Sequence, residues 1–305
     1  MMELFDIGSY TPVRSEDEMV KVVPTDLKPL NEKLGGGLMT GQFYVFQAPS
    51  GGGKTTMLLR MFYNVIMAGH KAAYVSMGEQ TSKELYEKLI CLVEGQKFPM
   101  YLQADNDFRT KKFEVFTSYL KEKINNIYIY YTENPYTLRA KNPEKKPEKP
   151  EDFTTDFNEI MHDIRKKGIQ FIFVDYMGAD CSTGDNTNRY EQLKLYCDQL
   201  AHESDKNNKC IVTAMQMNRT FSNYLRSKDF DPYYVGQEFT ADSIGAIHKV
   251  KVGISFFKHK DKDGNEQQYF NVFKNRTFGD LGPIKVRVTP DTFRWCEDGE
   301  MGFEF

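Results

Sequence analysis

Nine residues, Ala48-Pro49-Ser50-Gly51-Gly52-Gly53-Lys54-Thr55-Thr56, carry the strongest chemical signal in this chain of 305 residues. Four spacers separate a small residue from Gly-Lys-Thr. An apolar run that reads as a strand (Phe43 to Gln47) comes before them, and a helix-like stretch follows. In that context such a segment cradles phosphates. Gly51, Gly52 and Gly53 let the backbone turn its N–H groups inward, where side chains would obstruct it. The helix start adds a favourable dipole. Lys54 is expected to reach the β- and γ-phosphates of ATP or another nucleoside triphosphate, and the Thr55 hydroxyl to coordinate Mg²⁺.

A phosphate loop needs a partner carboxylate. Phe171-Ile172-Phe173-Val174-Asp175 supplies one, an apolar strand that delivers Asp175 at its carboxyl end beside the metal. Hydrolysis also needs a group that orients or deprotonates water. Glu79 follows the strand Ala72–Met77, where adjacent parallel strands would bring its carboxylate near the γ-phosphate; Glu84 and Glu87 read as surface residues of the next helix. Gln216 ends the strand Cys210–Gln216 and is either a sensor of the γ-phosphate or an ordinary strand-end amide. Lys274 and Arg276 sit two apart in a strand, so both are expected on one face. They read as a solvated edge, or as an arginine finger offered to a neighbour's ATP.

The elements that must position these groups alternate short apolar runs with amphipathic stretches, which predicts βαβ units and a largely parallel sheet. Residues 43–48, 72–77, 127–131, 170–176 and 210–216 read as buried strands. Helical stripes run through Met57, Leu58, Met61, Phe62 and Val65; through Phe157, Ile160, Met161 and Ile164; and through Leu193, Cys197 and Leu200. Residues 248–257 and 268–274 alternate around Asp263-Gly264 and read as an antiparallel hairpin, with another strand at 284–289. The Lys-, Glu- and Pro-rich run 139–152 reads as a solvated insertion inside a domain spanning 26–298. Before that domain lies an extension at 1–25 and after it an acidic tail at 299–305. The tail is a frayed terminus or a dock for a basic groove, with Phe305 as anchor.

A net charge of −3 and a pI of about 6.0 exclude a wholesale basic surface, so any nucleic-acid contact must be local. The five cysteines form no CxxC pair, which argues against zinc and against a disulfide framework. The absence of a leader-like start or a long uncharged apolar run predicts a soluble, cytoplasmic protein with no membrane partner.

In order along the chain, Leu30 to Gly41 (LNEKLGGGLMTG), the phosphate loop, SMGEQ, Tyr128 to Thr132, Val174-Asp175-Tyr176, Gln216-Met217-Asn218-Arg219 and Lys274-Asn275-Arg276 resemble the DnaB-type replicative helicase core. That core lies within the wider RecA-like group, and the likeness runs from about Pro24 to Glu297. It implies an α/β fold: a RecA-like core whose mostly parallel central sheet is flanked by helices and finishes in an antiparallel C-terminal hairpin. It also implies an ATP-hydrolysing homo-oligomer, often a hexameric ring, that moves on single-stranded DNA in replication. The brevity of the chain and the kinship point to a phage. Primase, loader or polymerase are the partners it suggests. By the resemblance Lys54, Thr55, Asp175 and Glu79 act in cis, Gln216 couples nucleotide to DNA, and Lys274 and Arg276 act in trans. The DNA-facing segments would be 181–190 and 219–243. In the second, Arg219, Arg226 and Lys228 alternate with Phe221, Tyr224, Phe230, Tyr233 and Tyr234, cations for phosphates and rings for bases. A RadA-like recombination ATPase and a nucleotide-gated assembly factor are the alternatives.

Overall fold

A computed structural model describes residues 19–78, 80–132, 151–175, 186–240, 244–260, 264–288 and 295–297. Its first half contains β1 (Val22–Val23), α1 (Lys28–Lys33), β2 (Leu38–Met39), β3 (Phe43–Ala48), α2 (Lys54–Met67), β4 (Ala72–Met77), α3 (Ser82–Glu94), α4 (Phe98–Gln103), α5 (Asn106–Leu120) and β5 (Ile127–Thr132). Then come α6 (Glu151–Lys166), β6 (Phe171–Asp175), α7 (Asn186–Lys206), β7 (Cys210–Gln216), α8 (Arg219–Tyr224) and α9 (Ile244–Lys249). The chain closes with β8 (Val252–Lys260), β9 (Glu266–Asn275), β10 (Gly282–Val288) and β11 (Trp295–Glu297).

Nine strands form one sheet in the order β11-β10-β9-β8-β3-β7-β6-β4-β5. The six from β8 to β5 run parallel, whereas β8, β9, β10 and β11 pair antiparallel. This is the expected RecA-like arrangement. Its physical cause is that β3, β6 and β7 are apolar on both faces and must be covered twice. Alternate residues serve opposite layers. Tyr44, Phe46, Tyr74, Phe171 and Phe173 face one core, with Leu58, Phe62 and Leu85. Phe43, Val45, Val75, Ile172 and Val174 face the other, with Phe157, Met161, Ile164, Cys197 and Leu200. The three expected helical stripes therefore lie in α2, α6 and α7. Cys91, Cys197 and Cys210 are buried free thiols. Among the described residues no helix is long and apolar enough to cross a membrane.

Several expectations shift: the strands expected at 268–274 and 284–289 run Glu266–Asn275 and Gly282–Val288, and residues 127–131, expected buried, are half-buried because β5 ends the sheet. The strand expected at 248–257 begins only at Val252, because His248 belongs to α9. Val250 extends the strand's alternation, yet with Ile247 it has helical spacing, and both are buried in the core that holds Cys197 and Leu200. Helix α6 starts at Glu151, so the last two residues of the Lys/Glu/Pro run are helical. Residues 1–18, 139–150 and 299–305 lie outside the described residues.

Phe62 shows how the helix layer is fixed to the sheet. Its ring meets Tyr74 and Phe173 edge-on, each at 5.6 Å between centroids, with no solvent exposure. Replacing it with alanine removes both contacts and leaves a cavity under α2. Urea unfolding of Phe62→Ala is expected to show a loss of about 3–5 kcal/mol. A loss below about 1 kcal/mol would mean that the site collapses to fill the space.

Candidate nucleotide-binding site

Strand β3 delivers the phosphate loop at the carboxyl edge of the sheet. Ala48 is the last strand residue, Pro49 to Gly53 form the turn, and Lys54 opens α2. Gly51 and Gly53 have φ of +70° and +83°, a region that disfavours other residues. A Cβ on Gly52 would lie 2.9 Å from the Pro49 carbonyl oxygen, which already accepts the Gly52 N–H at 3.0 Å. Gly53 caps α2 without a side-chain acceptor, so the first-turn N–H groups remain directed at the loop's interior. Lys54 Nζ lies 3.5 Å from the Pro49 carbonyl, folded over the loop. Thr55 and Thr56 are half-buried on the first turn, and Ser50 is exposed.

Asp175 ends β6 and is buried. Its Oδ2 accepts the Tyr74 hydroxyl at 2.8 Å, while its buried Oδ1 has no hydrogen-bond partner among the described residues. Burial pushes its carboxyl above the usual range. The Thr55 side chain, the Tyr74 hydroxyl and the Lys54 ammonium oppose that rise. An orphaned carboxylate oxygen near a threonine hydroxyl is an all-oxygen donor set, which suits a hard divalent cation such as Mg²⁺. Among the described residues no group of three or more His, Cys, Asp or Glu could hold an ion unaided.

Glu79 lies outside the described residues. Strand β4, which it follows, stands beside β6, so β6 and β7 intervene between it and β3. Ser76 pairs with Asp175 in the sheet, and its hydroxyl donates to the Gln80 carbonyl at 2.7 Å, closing the turn after β4. Gln216 is paired with Ala48, and the next residue, Met217, donates its N–H to the Ala48 carbonyl at 3.0 Å. This amide thus stands level with the base of the phosphate loop.

Lys274 lies near the end of β9, two strands from β3, and Arg276 follows that strand's last residue. Lys274 pairs with Gly253, and Gly253 pairs with Val45, three residues before the end of β3. At about 3.3 Å per residue, Lys274 lies about 10 Å below the loop along the strands. The two cations differ in surroundings, and Arg276 lies one residue beyond the end of β9. Lys274 Nζ is held by the Ile247 carbonyl of α9. Burial, and then the neighbouring Arg276, push its ammonium down to about 8. Arg276 is exposed, its N–H donating to the Lys251 carbonyl at 3.0 Å. Both line an open cleft of about 550 Å³ with Tyr233, Tyr234 and Glu238.

The segment after β7 divides the expected DNA-contacting residues. Arg219, at the start of α8, is exposed, as are Arg226 and Lys228. Three of the five aromatics pack against a small cluster, Phe221 buried in it and Tyr224 and Phe230 half-buried. Phe221 is 1% exposed in a cluster with Val235, Phe239 and Phe257. Tyr224 stacks on Phe239 at 5.1 Å, and Phe230 on His259 at 3.9 Å. Interleaving in the sequence reflected a small third core, and only Tyr233 and Tyr234, 53% and 65% exposed, present open rings. Of the first segment, residues 181–185 lie outside the described residues, and 186–190 begin α7.

Sequence reasoning missed Tyr74 and the buried polar group Gln47, Thr240, Ser255 and Asn271. The available signal was a glutamine within the otherwise apolar run FYVFQA, directly before the loop.

The model of the DnaB-like helicase C terminal domain family matches residues 22–296. Of curated proteins, the DNA repair protein RadA from two strains of Mycobacterium tuberculosis is 31% identical over 90 residues. That stretch is 28% of this chain and 18% of RadA, so the chain spans about a fifth of that relative's length. Two solved structures share the fold. One, a DnaB-like replicative helicase studied for its interactions with primase, has a TM-score of 0.62 at 15% identity, covering 93% of this chain and 65% of that one. The other, solved as an ATPase domain, has a TM-score of 0.63 at 16% identity, covering 92% of this chain and 93% of that one.

The raised Asp175 carboxyl has a consequence for stability. A group that holds its proton more tightly when folded makes the fold less stable as pH rises from its unfolded to its folded value. Asp175→Asn removes that cost and keeps an acceptor for Tyr74. Calorimetry at pH 7 should therefore show a higher Tm for the nucleotide-free variant, and an unchanged or lower Tm would contradict the burial argument.

Proposed function

This chain belongs to the DnaB-like helicase C-terminal domain family, and we propose that it is an ATP-hydrolysing motor that moves on single-stranded DNA in replication. The family match over most of the chain carries this reading. The site's geometry agrees with it in three respects: a phosphate loop, a buried carboxylate with an unpartnered oxygen, and two cations at the end of β9, two strands from the loop's own strand.

In this mechanism the loop's N–H groups and Lys54 bind the β- and γ-phosphates. The Thr55 hydroxyl and Asp175 hold Mg²⁺, which supplies charge neutralisation of the phosphates when bound. Glu79 orients and deprotonates the attacking water. Gln216, level with Ala48, responds to the γ-phosphate and passes its presence to the segment carrying Arg219, Arg226 and Lys228, which contact DNA phosphates. Lys274 and Arg276 sit too far down the sheet to serve their own loop, so they act on the nucleotide of the next subunit in a homo-oligomer, a hexameric ring. A partner such as a primase, loader or polymerase completes the assembly. The second reading, a RadA-like recombination ATPase, rests on the 31% identity over 90 residues.

Steady-state hydrolysis with and without single-stranded DNA tests the motor. At least about tenfold stimulation, about 1.4 kcal/mol of coupling, is expected, and Arg276→Ala should abolish it. Feeble turnover indifferent to DNA and to Arg276 would instead indicate a nucleotide-gated assembly factor.

Lys274 adds a pH signature. Its folded value lies below that of a free lysine, so it loses its charge as pH rises through about 8. DNA-stimulated turnover is expected to fall between pH 7 and 9. Lys274→Arg, which does not titrate there, should flatten the profile. A fall that persists in Lys274→Arg would assign the transition to another group.

A further inference from the structure

Tyr74 and Ser76 stand two apart in β4 and so share one face of the sheet. In the ladder with β6, Ser76 pairs with Asp175 and Tyr74 with Phe173. Ser76 is level with the carboxylate, yet its hydroxyl is engaged by the turn. It donates to the Gln80 carbonyl at 2.7 Å and accepts the Gln80 N–H at 3.3 Å. The donor that β4 gives to Asp175 is the Tyr74 hydroxyl instead. It starts about 7 Å back along the strand, a gap that a phenol ring spans.

Packing fixes that ring. Tyr74 has no solvent exposure, and Phe62 meets it edge-on at 5.6 Å with 80° between the ring planes. Phe62 also meets Phe173, two residues before Asp175, at 5.6 Å. The phenol has a single proton to give, and Asp175 Oδ2 accepts it at 2.8 Å. The last torsion of an aspartate side chain is broad, so a carboxylate without such a donor could turn. Here Oδ2 is engaged, and Oδ1 is the oxygen left buried without a partner among the described residues.

A carboxylate can hold a cation through one oxygen or through both, and cations differ in which they accept. Mg²⁺ demands a near-ideal octahedron at about 2.0–2.1 Å, whereas Ca²⁺ takes about 6–8 oxygens at about 2.3–2.6 Å and accepts both oxygens of one carboxylate. An acid with one oxygen engaged by a fixed donor has one to offer. Ligation through both would leave the buried Tyr74 hydroxyl without its acceptor, at the cost of an orphaned polar group.

Resting on the Mg²⁺–nucleotide reading above, we propose that Tyr74 is a positioning residue that sets the choice of metal. By engaging Oδ2 it restricts Asp175 to ligation through one oxygen, which suits Mg²⁺ and disfavours Ca²⁺. The selectivity thus comes from β4, outside the phosphate loop, and acts entirely through Asp175.

Calorimetric titration with metal-free ADP, Mg²⁺–ADP and Ca²⁺–ADP tests this. The wild type is expected to bind Mg²⁺–ADP at least about tenfold more tightly than Ca²⁺–ADP. Tyr74→Phe keeps the ring against Phe62 and should narrow that ratio about fivefold, with the affinity for metal-free ADP unchanged. Tyr74→Met also lacks the hydroxyl and stands in if Tyr74→Phe does not fold. A hydroxyl with a purely structural part would weaken all three ligands together and leave the ratio where it was. That result, a wild-type ratio near one, or loss of folding in both variants would overturn the assignment. If the wild-type chain binds none of the three ligands, the nucleotide reading itself fails, and the role of Tyr74 with it.

Discussion

The Gln47 side chain has no solvent exposure and sits one residue before the phosphate-loop strand ends. A buried amide must be hydrogen-bonded, because each orphaned group costs about 1–3 kcal/mol. Its Nε2 donates to the Gly236 carbonyl at 2.7 Å and to Ser255 Oγ at 2.8 Å. Its Oε1 accepts the Thr240 hydroxyl at 2.6 Å. Ser255 then donates to the Val235 carbonyl at 2.8 Å, and Asn271 Nδ2 donates to the Tyr233 and Val235 carbonyls at 3.0 Å each. One amide thereby ties β3 to β8 and to the chain between Tyr233 and Thr240, and β9 joins through Asn271. Together these bonds lay an irregular segment across the sheet face, where its backbone groups would otherwise lack partners.

That segment connects the two edges of the site. At one end Met217 bridges Thr240, and the Asn218 N–H donates to the Phe239 carbonyl at 2.7 Å, next to Gln216 and the loop. At the other, Tyr233 and Tyr234 border the cleft of Lys274 and Arg276. A shift of Gln216 or Ala48 therefore has a short, hydrogen-bonded route to the cation edge. Buried polar networks of this kind rigidify the segment they hold.

Asp175 shows the opposite economy. Its carboxylate is buried, one oxygen lacks a partner, and its proton affinity is raised. An apolar residue would fold there with less cost. An acid kept at the end of β6 is thus a cost to the fold, one that the proposed Mg²⁺ and phosphates would relieve.

Local chemistry made much of this protein legible from its residues alone. Glycines before Lys54 admit one kind of turn, and strands apolar on both faces must lie inside a covered parallel sheet. The stripe of Met57, Leu58, Met61 and Phe62 can satisfy itself only against such a sheet. The order of the motifs along the chain also identified the family. Tertiary structure alone decided the rest. Phe221 and Phe230 resembled base-stacking rings because spacing does not reveal that β8, distant in sequence, brings Phe257 and His259 against them, while Tyr224 stacks on Phe239. Val250 resembled strand because alternation and helical spacing coincide over three residues, and only the core behind α9 breaks the tie. Lys274 and Arg276 are equivalent by spacing, yet a carbonyl from α9 captures one and leaves the other in solvent. Each of these outcomes depends on which surface arrives from elsewhere in the chain, and residue types in sequence carry no record of it.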